Sequence, residues 1–378
     1  MSAMQVLDSS NLHHYQLWLK FWSAQSEQEI LAHPEYVKLF CRPCDIALCA
    51  VMETAGEIMM FPFILRPLSE EKWIGDRSQY RDIINQYGYG GMICSDWTGT
   101  FSADSGRAKR FWEEFDDWAI QHNVVSCFVR FSPFACYVDD FSGKVECAGE
   151  NVIRSLEKGI CTIWSEFDHK VRTNIRRAER NGLVVEVDTR GSRMEDFKRI
   201  YYSTMERRHA QGQYFFPEEF FSAITEKLTG SYVFFHTLYG NQVVSTELVL
   251  LSRDHMYSFL GGTDGSFLKL YPNEIIKDAA IRWGIEHGKK TYVLGGGHNG
   301  QSGLLRYKKS FAQQGIIPYL VGKKIYNETV YKELCEMRAR YETADGNTIC
   351  FDNGFFPAYR VSVESSKDIA DEVHHDGD

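Results

Sequence analysis

No stretch of the 378 residues approaches the roughly 20 consecutive apolar positions that cross a bilayer, which excludes a membrane-spanning helix. The opening "MSAMQVLDSSNLHHYQ" lacks a basic segment followed by an apolar run, so no secretory signal is expected and the protein is read as soluble and cytoplasmic. Ten cysteines are scattered along the chain, and only Cys41 and Cys44 form a C-x-x-C. Neither a second pair nor a close histidine pair completes a zinc site, so reduced thiols and no metal are expected. Basic residues are also short: 42 Lys and Arg face 51 Asp and Glu, a formal charge of -9, which argues against a surface coated for nucleic acid. The acidic balance is concentrated in the final "VESSKDIADEVHHDGD", where composition predicts a disordered tail.

What is present supports two cores. A hydrophobic content of 44% over this length predicts two domains, with boundaries at 1–150 and 151–345 and a C-terminal extension over 346–378. A helix is expected around Leu12 to Ile30, and a hairpin is expected from "DIALCAVM" and "EIMMFPFILRP" around "ETAG". The glycine-broken loop "NQYGYGG" precedes a helix over Arg107 to His122 and the strand "VVSCFVRF". The second half repeats this order. Helices around Ser192 to Ala210 and Pro217 to Leu228 lead into three strands, a helix from Pro272 to His287, and the strand "KTYVLGG". This α+β pattern of strands, glycine loop, helix and strand, met twice, suggests a duplication.

Several residues are candidates for chemistry. Arg172, Arg176 and Arg180 lie at i, i+4 and i+8 beside an apolar stripe of Val171, Ile175 and Ala178. They form either an anion-binding wall or the wet face of a helix. In "YYSTMERRHAQGQYFF", Arg207 is the preferred anion contact and His209 is read as structural. Tyr89, in the glycine loop, is a candidate substrate contact. Glu247 stands in "VVSTELVLL", where a carboxylate must be edge-exposed, ion-paired, or raised in pKa to serve as a general base.

The stretch "LGGGHNGQSGLLRYKKSF" is neither of the two glycine motifs it suggests. Gly295 and Gly300 have P-loop spacing, but Gln301 and Ser302 replace the required Lys and Ser/Thr. Gly295, Gly297 and Gly300 have dinucleotide-fingerprint spacing, but no βαβ unit with a ribose-binding acid follows. A strand end turning into a helix that carries Arg306, Lys308 and Lys309 remains, and a lysine there can stabilise an oxyanion.

In order, "VRTNIRRAERNGLVVEV", "GNQVVSTELVLL", "SFLGGTDG", "YPNEIIKDAAIRWGIEHGKKTYVLGGG" and "GLLRYKKSF" resemble the Fem-type peptidoglycan-bridge aminoacyltransferases and their wider relatives in the GNAT superfamily. The resemblance is best over Cys161 to Val321. It implies tandem GNAT-like domains, each a mixed, largely antiparallel sheet flanked by helices. It also implies transfer of an acyl or aminoacyl group to an amine of a cell-envelope building block, with direct attack by the amine. Lys308 matches the lysine of the family's "FK..F" motif, which assists the transferred carbonyl, with Tyr307 where Phe is usual. Arg207 in "TMERR" matches the arginine of a "T..R" pattern that holds the acceptor's phosphates. The Q/R-x-x-G-x-G/A spacing of coenzyme A enzymes is missing, so acyl-coenzyme A and aminoacyl-tRNA both stay open as donors. No charged heptad run marks a long helical hairpin.

The expected function is therefore N-acyl transfer to an anionic small-molecule or lipid-linked acceptor, with charged tRNA as a candidate partner and no more than peripheral membrane contact. Lys308 and Glu247 are the expected catalytic residues, and Arg207, Arg172, Arg176, Tyr307 and Tyr89 the expected substrate contacts. A catalytically inert binding module in envelope synthesis is the alternative, and nucleic-acid binding through the arginine helix a third reading.

Overall fold

A computed structural model describes residues 3–54, 56–95, 106–296, 303–351 and 354–362. The elements, in chain order, are β1 (Gln5–Asp8), α1 (Leu12–Ser23), α2 (Pro34–Lys38), β2 (Ile46–Thr54), β3 (Glu57–Pro67), β4 (Arg81–Ile84) and β5 (Ile93–Cys94). They continue with α3 (Gly106–Gln121), β6 (Val124–Arg130), β7 (Lys144–Ser155), α4 (Ile160–Glu166), α5 (His169–Arg180), β8 (Leu183–Asp188), α6 (Met194–Arg207) and α7 (Glu218–Lys227). The last group is β9 (Tyr232–Tyr239), β10 (Gln242–Leu251), β11 (His255–Thr263), α8 (Pro272–Glu286), β12 (Thr291–Gly296), α9 (Gly303–Lys309), β13 (Ile316–Ile325) and α10 (Glu328–Ala344). Among the described residues, no helix is long and apolar enough to cross a membrane.

The chain forms two compact units, one of residues 1–25, 40–147 and 320–378, the other of 26–39 and 148–319. In the first unit the strand order is β1-β2-β3-β4-β6-β13 with β5 on β3; β4 and β6 are parallel and the other pairs antiparallel. In the second it is β7-β12-β11-β10-β9-β8, with only β11 and β12 parallel. The duplicated order expected from sequence is present in the pairing. Three antiparallel strands feed a helix that returns to a strand parallel to the third, as β2-β3-β4, α3, β6 and again as β9-β10-β11, α8, β12.

The unit boundaries differ from 1–150, 151–345 and 346–378. The chain rejoins the first unit at Leu320 because Val321 to Ile325 pair with β6. Leu334 and Tyr359 then share a core with Leu68, Trp73 and Val125, so residues 354–362 are packed chain. The acidic tail lies outside the described residues. The expected helix from Leu12 to Ile30 is α1, ending at Ser23, and then a separate 3-10 turn at Ile30–Ala32. Glu29 caps that turn and is buried against Ser252 and Tyr257 in the second unit.

Two glycines let helices approach the second sheet. A Cβ at Gly262 on β11 would lie 2.5 Å from Thr204 Oγ1 on α6, and one at Gly284 on α8 would lie 2.6 Å from Met256 Sδ on β11. Real Cβ contacts are never that short, so a side chain at either position would push its helix off the strand. The core of this unit runs through Val152, Ile175, Phe235, Val249, Met256, Ile281 and Tyr292, all at most 1% exposed.

Candidate active site

Parallel strands β11 and β12 pair at only three positions, ending at Tyr257 and Val293. Beyond them, β11 stays with β10 as far as Thr263 and β12 with β7 as far as Gly296, so the two strands part. Ser258 is the first β11 residue past the fork. A β-bulge follows at once: Val249 faces Ser258 and Leu248 faces Leu260, so Phe259 is the extra residue of the bulge. Bulges of this kind re-aim side chains beside functional sites.

Four side chains from four elements meet behind the fork. Glu247 on β10, opposite Gly261, accepts through Oε1 from Lys277 Nζ on α8, from Ser258 Oγ at 2.6 Å, and from Tyr292 OH on β12 at 2.5 Å. Lys277 Nζ also donates to Ser258 Oγ and to Tyr292 OH, each at 3.1 Å. Glu247 and Lys277 are each 6% exposed and Tyr292 0%, while Ser258 is half-buried. A carboxylate this deep requires a charged partner and hydrogen bonds. Of the options open to Glu247 from sequence, the structure has the ion pair, made with a lysine rather than an arginine. Burial, and then the Glu247 charge, hold the Tyr292 phenol well above its ordinary pKa, so it stays a donor.

Lys308 sits on α9, and its Nζ donates to Gly296 O at the end of β12 at 2.6 Å. Burial lowers its pKa most, the Lys277 ammonium lowers it further and Glu247 opposes both, leaving the group at about 8. Tyr307 packs on the core, and its OH donates to Asn273 O in the first turn of α8 at 2.7 Å, which ties α9 to α8. The glycine turn that precedes α9 falls on residues 297–302, outside the described residues.

The remaining candidates are dispersed. Arg172 Nη1 donates to the carbonyls of Ser165 and Phe167 at 2.6 and 2.7 Å, and to Trp164 O at 3.4 Å, so it closes the end of α4. That is a structural use of the guanidinium where substrate contact was expected. Arg176 is exposed, with its Cζ 5.6 Å from the Trp164 ring, and Arg180 Nε donates to Arg176 O. Arg207 is exposed and anchored by Nη2 to Thr263 O at 2.9 Å, where β11 ends. His209 closes α6 with a φ of 49°, in keeping with its structural reading. Tyr89 belongs to the first unit, where its carbonyl accepts from Gln86 Nε2. Cys41 and Cys44 are free thiols, and no group of metal-ligating side chains occurs among the described residues.

Sequence reasoning missed Lys277, Tyr292 and Ser258. The signal for Lys277 was present: it lies three, four and seven residues before Ala280, Ile281 and Gly284, on the face α8 buries.

Residues 165–309 match the acetyltransferase (GNAT) domain family. Comparison with curated proteins finds no match. In fold the chain is similar to FemX, at a TM-score of 0.63 and 14% identity over 84% of this chain and 98% of that one. It is similar to the C-terminal domain of a putative lysylphosphatidylglycerol synthetase from Agrobacterium fabrum, at 0.51 and 11%, over 84% and 92%. A conserved protein of unknown function from Bacteroides thetaiotaomicron matches at 0.52 and 11%, over 82% and 97%. The stretch that matches this family lies wholly within the second unit. More narrowly, the chain shares its fold with FemX.

Proposed function

We propose that this protein is an N-acyltransferase that moves an acyl or aminoacyl group onto an amine of a nucleotide- or lipid-linked cell-envelope precursor. The observation that carries this reading is Lys308, a half-buried ammonium at the end of β12 beside the fork, with a pKa brought down to about 8. An ammonium has three N–H donors. One goes to Gly296 O, and this reading gives the others to a donor carbonyl in the fork. As the acceptor amine attacks, charge grows on that carbonyl oxygen, and a cation held in a partly dry setting stabilises it more than water would. Arg207, exposed and anchored at the end of β11, would hold the acceptor phosphates in this reading. The fold shared with FemX and with a domain named for lysylphosphatidylglycerol synthesis supports an envelope acceptor and an aminoacyl donor as first choices to test.

The test is transfer from alanyl-tRNA or acetyl-coenzyme A to a UDP-linked muramoyl pentapeptide or to phosphatidylglycerol vesicles, with wild type and Lys308→Met compared. The substitution is expected to lower kcat by about 100-fold or more while acceptor binding holds. An equally active Lys308→Met protein refutes the role of the lysine; binding of acceptor without turnover from either donor refutes the enzyme.

A further inference from the structure

The proton that must leave the attacking amine needs a polar route into the buried cluster. Of the four clustered groups, Glu247, Lys277 and Tyr292 are all at most 6% exposed, whereas Ser258 is half-buried and stands at the point where β11 and β12 separate. A hydroxyl has one hydrogen to donate and two lone pairs. The hydrogen of Ser258 is directed at Glu247 Oε1 at 2.6 Å, and one lone pair takes the Lys277 N–H at 3.1 Å. Lys277 therefore fixes the rotor so that its second lone pair is left for a group arriving in the fork. Buried charges next to a reacting centre without solvent contact of their own act through such an intermediary.

We infer that the Ser258 hydroxyl accepts the proton of the acceptor amine and passes its own proton to Glu247, which makes Ser258 a catalytic residue and Lys277 and Tyr292 positioning residues. This rests on the acyltransferase reading above. As the nitrogen bonds to the donor's carbonyl carbon, its N–H bond breaks toward Ser258 Oγ and the Ser258 O–H bond breaks toward Glu247 Oε1, which becomes a carboxylic acid. When the intermediate collapses, the leaving oxygen or sulfur departs with its electron pair. It receives that proton back along the same two atoms, so Ser258 and Glu247 end as they began and no further reactant is consumed. Lys277 keeps the cluster charge-balanced before transfer, and Tyr292 keeps Glu247 in register with Ser258.

The experiment compares wild type, Ser258→Ala, Ser258→Thr and Lys308→Met in alanyl-tRNA and acetyl-coenzyme A assays, each with an alkylamine-bearing muramoyl peptide and its alkoxyamine analogue. Ser258→Ala is expected to lower kcat by about 100-fold with the alkylamine. The loss should be much smaller with the alkoxyamine, whose more acidic nitrogen sheds its proton to water. Ser258→Thr, which keeps the hydroxyl, should stay near wild type. A purely structural role would slow both amines equally. Wild-type kcat in Ser258→Ala, or equal losses for both amines with no rescue by Thr, overturns the relay while an inactive Lys308→Met leaves the acyltransferase reading in place. A wild type that transfers nothing to either amine removes both.

Discussion

Raising the pH should silence the enzyme through Lys308 well before ordinary lysines respond. Burial and the Lys277 ammonium hold Lys308 at about 8, against an ordinary value of 10.5, with Glu247 pulling the other way. The protonated, oxyanion-stabilising form therefore makes up about nine-tenths of the protein at pH 7 and about one-tenth at pH 9. Transfer should accordingly fall by about ten-fold over that interval, whereas an unshifted lysine would lose only a few per cent. The sign follows from the role: the cation is the active form, so activity is present below pH 8 and lost above it. An alkoxyamine acceptor is the right probe because it stays neutral throughout, so its own ionisation adds no opposing limb. The assay is kcat/KM at steps from pH 6.5 to 9.5, with protein integrity followed by circular dichroism. Replacing Glu247 with Gln removes the charge that favours the ammonium and should move the alkaline limb to lower pH. A profile flat to pH 9 in the folded protein, or a limb unmoved by Glu247→Gln, refutes the electrostatic argument.

Lys277→Met leaves the Glu247 carboxylate buried without its counter-charge and should cost about 3–5 kcal/mol in urea unfolding. Adding Glu247→Gln to that variant should recover a large part of the loss, and simple additivity would show that the pair is not coupled. Arg172→Ala removes the donor that holds Ser165 O and Phe167 O and should lower stability by about 1–3 kcal/mol, with the acceptor KM unchanged; a raised KM at unchanged stability would restore Arg172 to the binding site.

The parts of the site that could be read from sequence are those whose own neighbourhood is anomalous. Glu247 stands out because a carboxylate inside "VVSTELVLL" has no cheap explanation; the glycine-rich strand end points to Arg306, Lys308 and Lys309 together, and only the resemblance to the "FK..F" motif singles out Lys308. The nature of Glu247's environment was not legible, since its partner lies 30 residues further on and reaches it only through α8 packing across the sheet. Arg172 shows the converse. Its i, i+4 spacing from Arg176 fixes a shared face but not what covers that face, and the carbonyls it holds come from the end of the preceding helix. The β2–β3 hairpin, α3, β6 and the run from α6 to α9 followed from local pattern, whereas β1, β4, β7 and α10 were not read from it. The pairing of Val321 to Ile325 with β6 did not follow from it either, because strands nearly two hundred residues apart leave no local mark of their partnership.

The donor question turns on the first turn of α8. A helix N-terminus binds pyrophosphate when its backbone N–H groups point outward and no negative side chain competes. Here Pro272 at the first position has no N–H, and Glu274 puts a carboxylate in the first turn, where Asn174 Nδ2 holds it at 2.8 Å. Asn273 faces inward, its Oδ1 accepting from Thr263 Oγ1 and from Ser245 Oγ and its backbone O from Tyr307. The helix dipole is therefore already answered by the protein's own carboxylate, and an incoming pyrophosphate would meet Glu274. Together with the missing Q/R-x-x-G-x-G/A spacing, this weighs against a coenzyme A donor anchored at α8. Of the exposed cations of the same unit, Arg177 stays at this helix start, its Nη1 donating to Tyr271 OH at 3.4 Å, while the Arg176 and Arg282 guanidinium carbons stand 5.6 and 5.7 Å from the Trp164 ring. Guanidinium groups held against an aromatic face suit a phosphate-bearing, stackable partner.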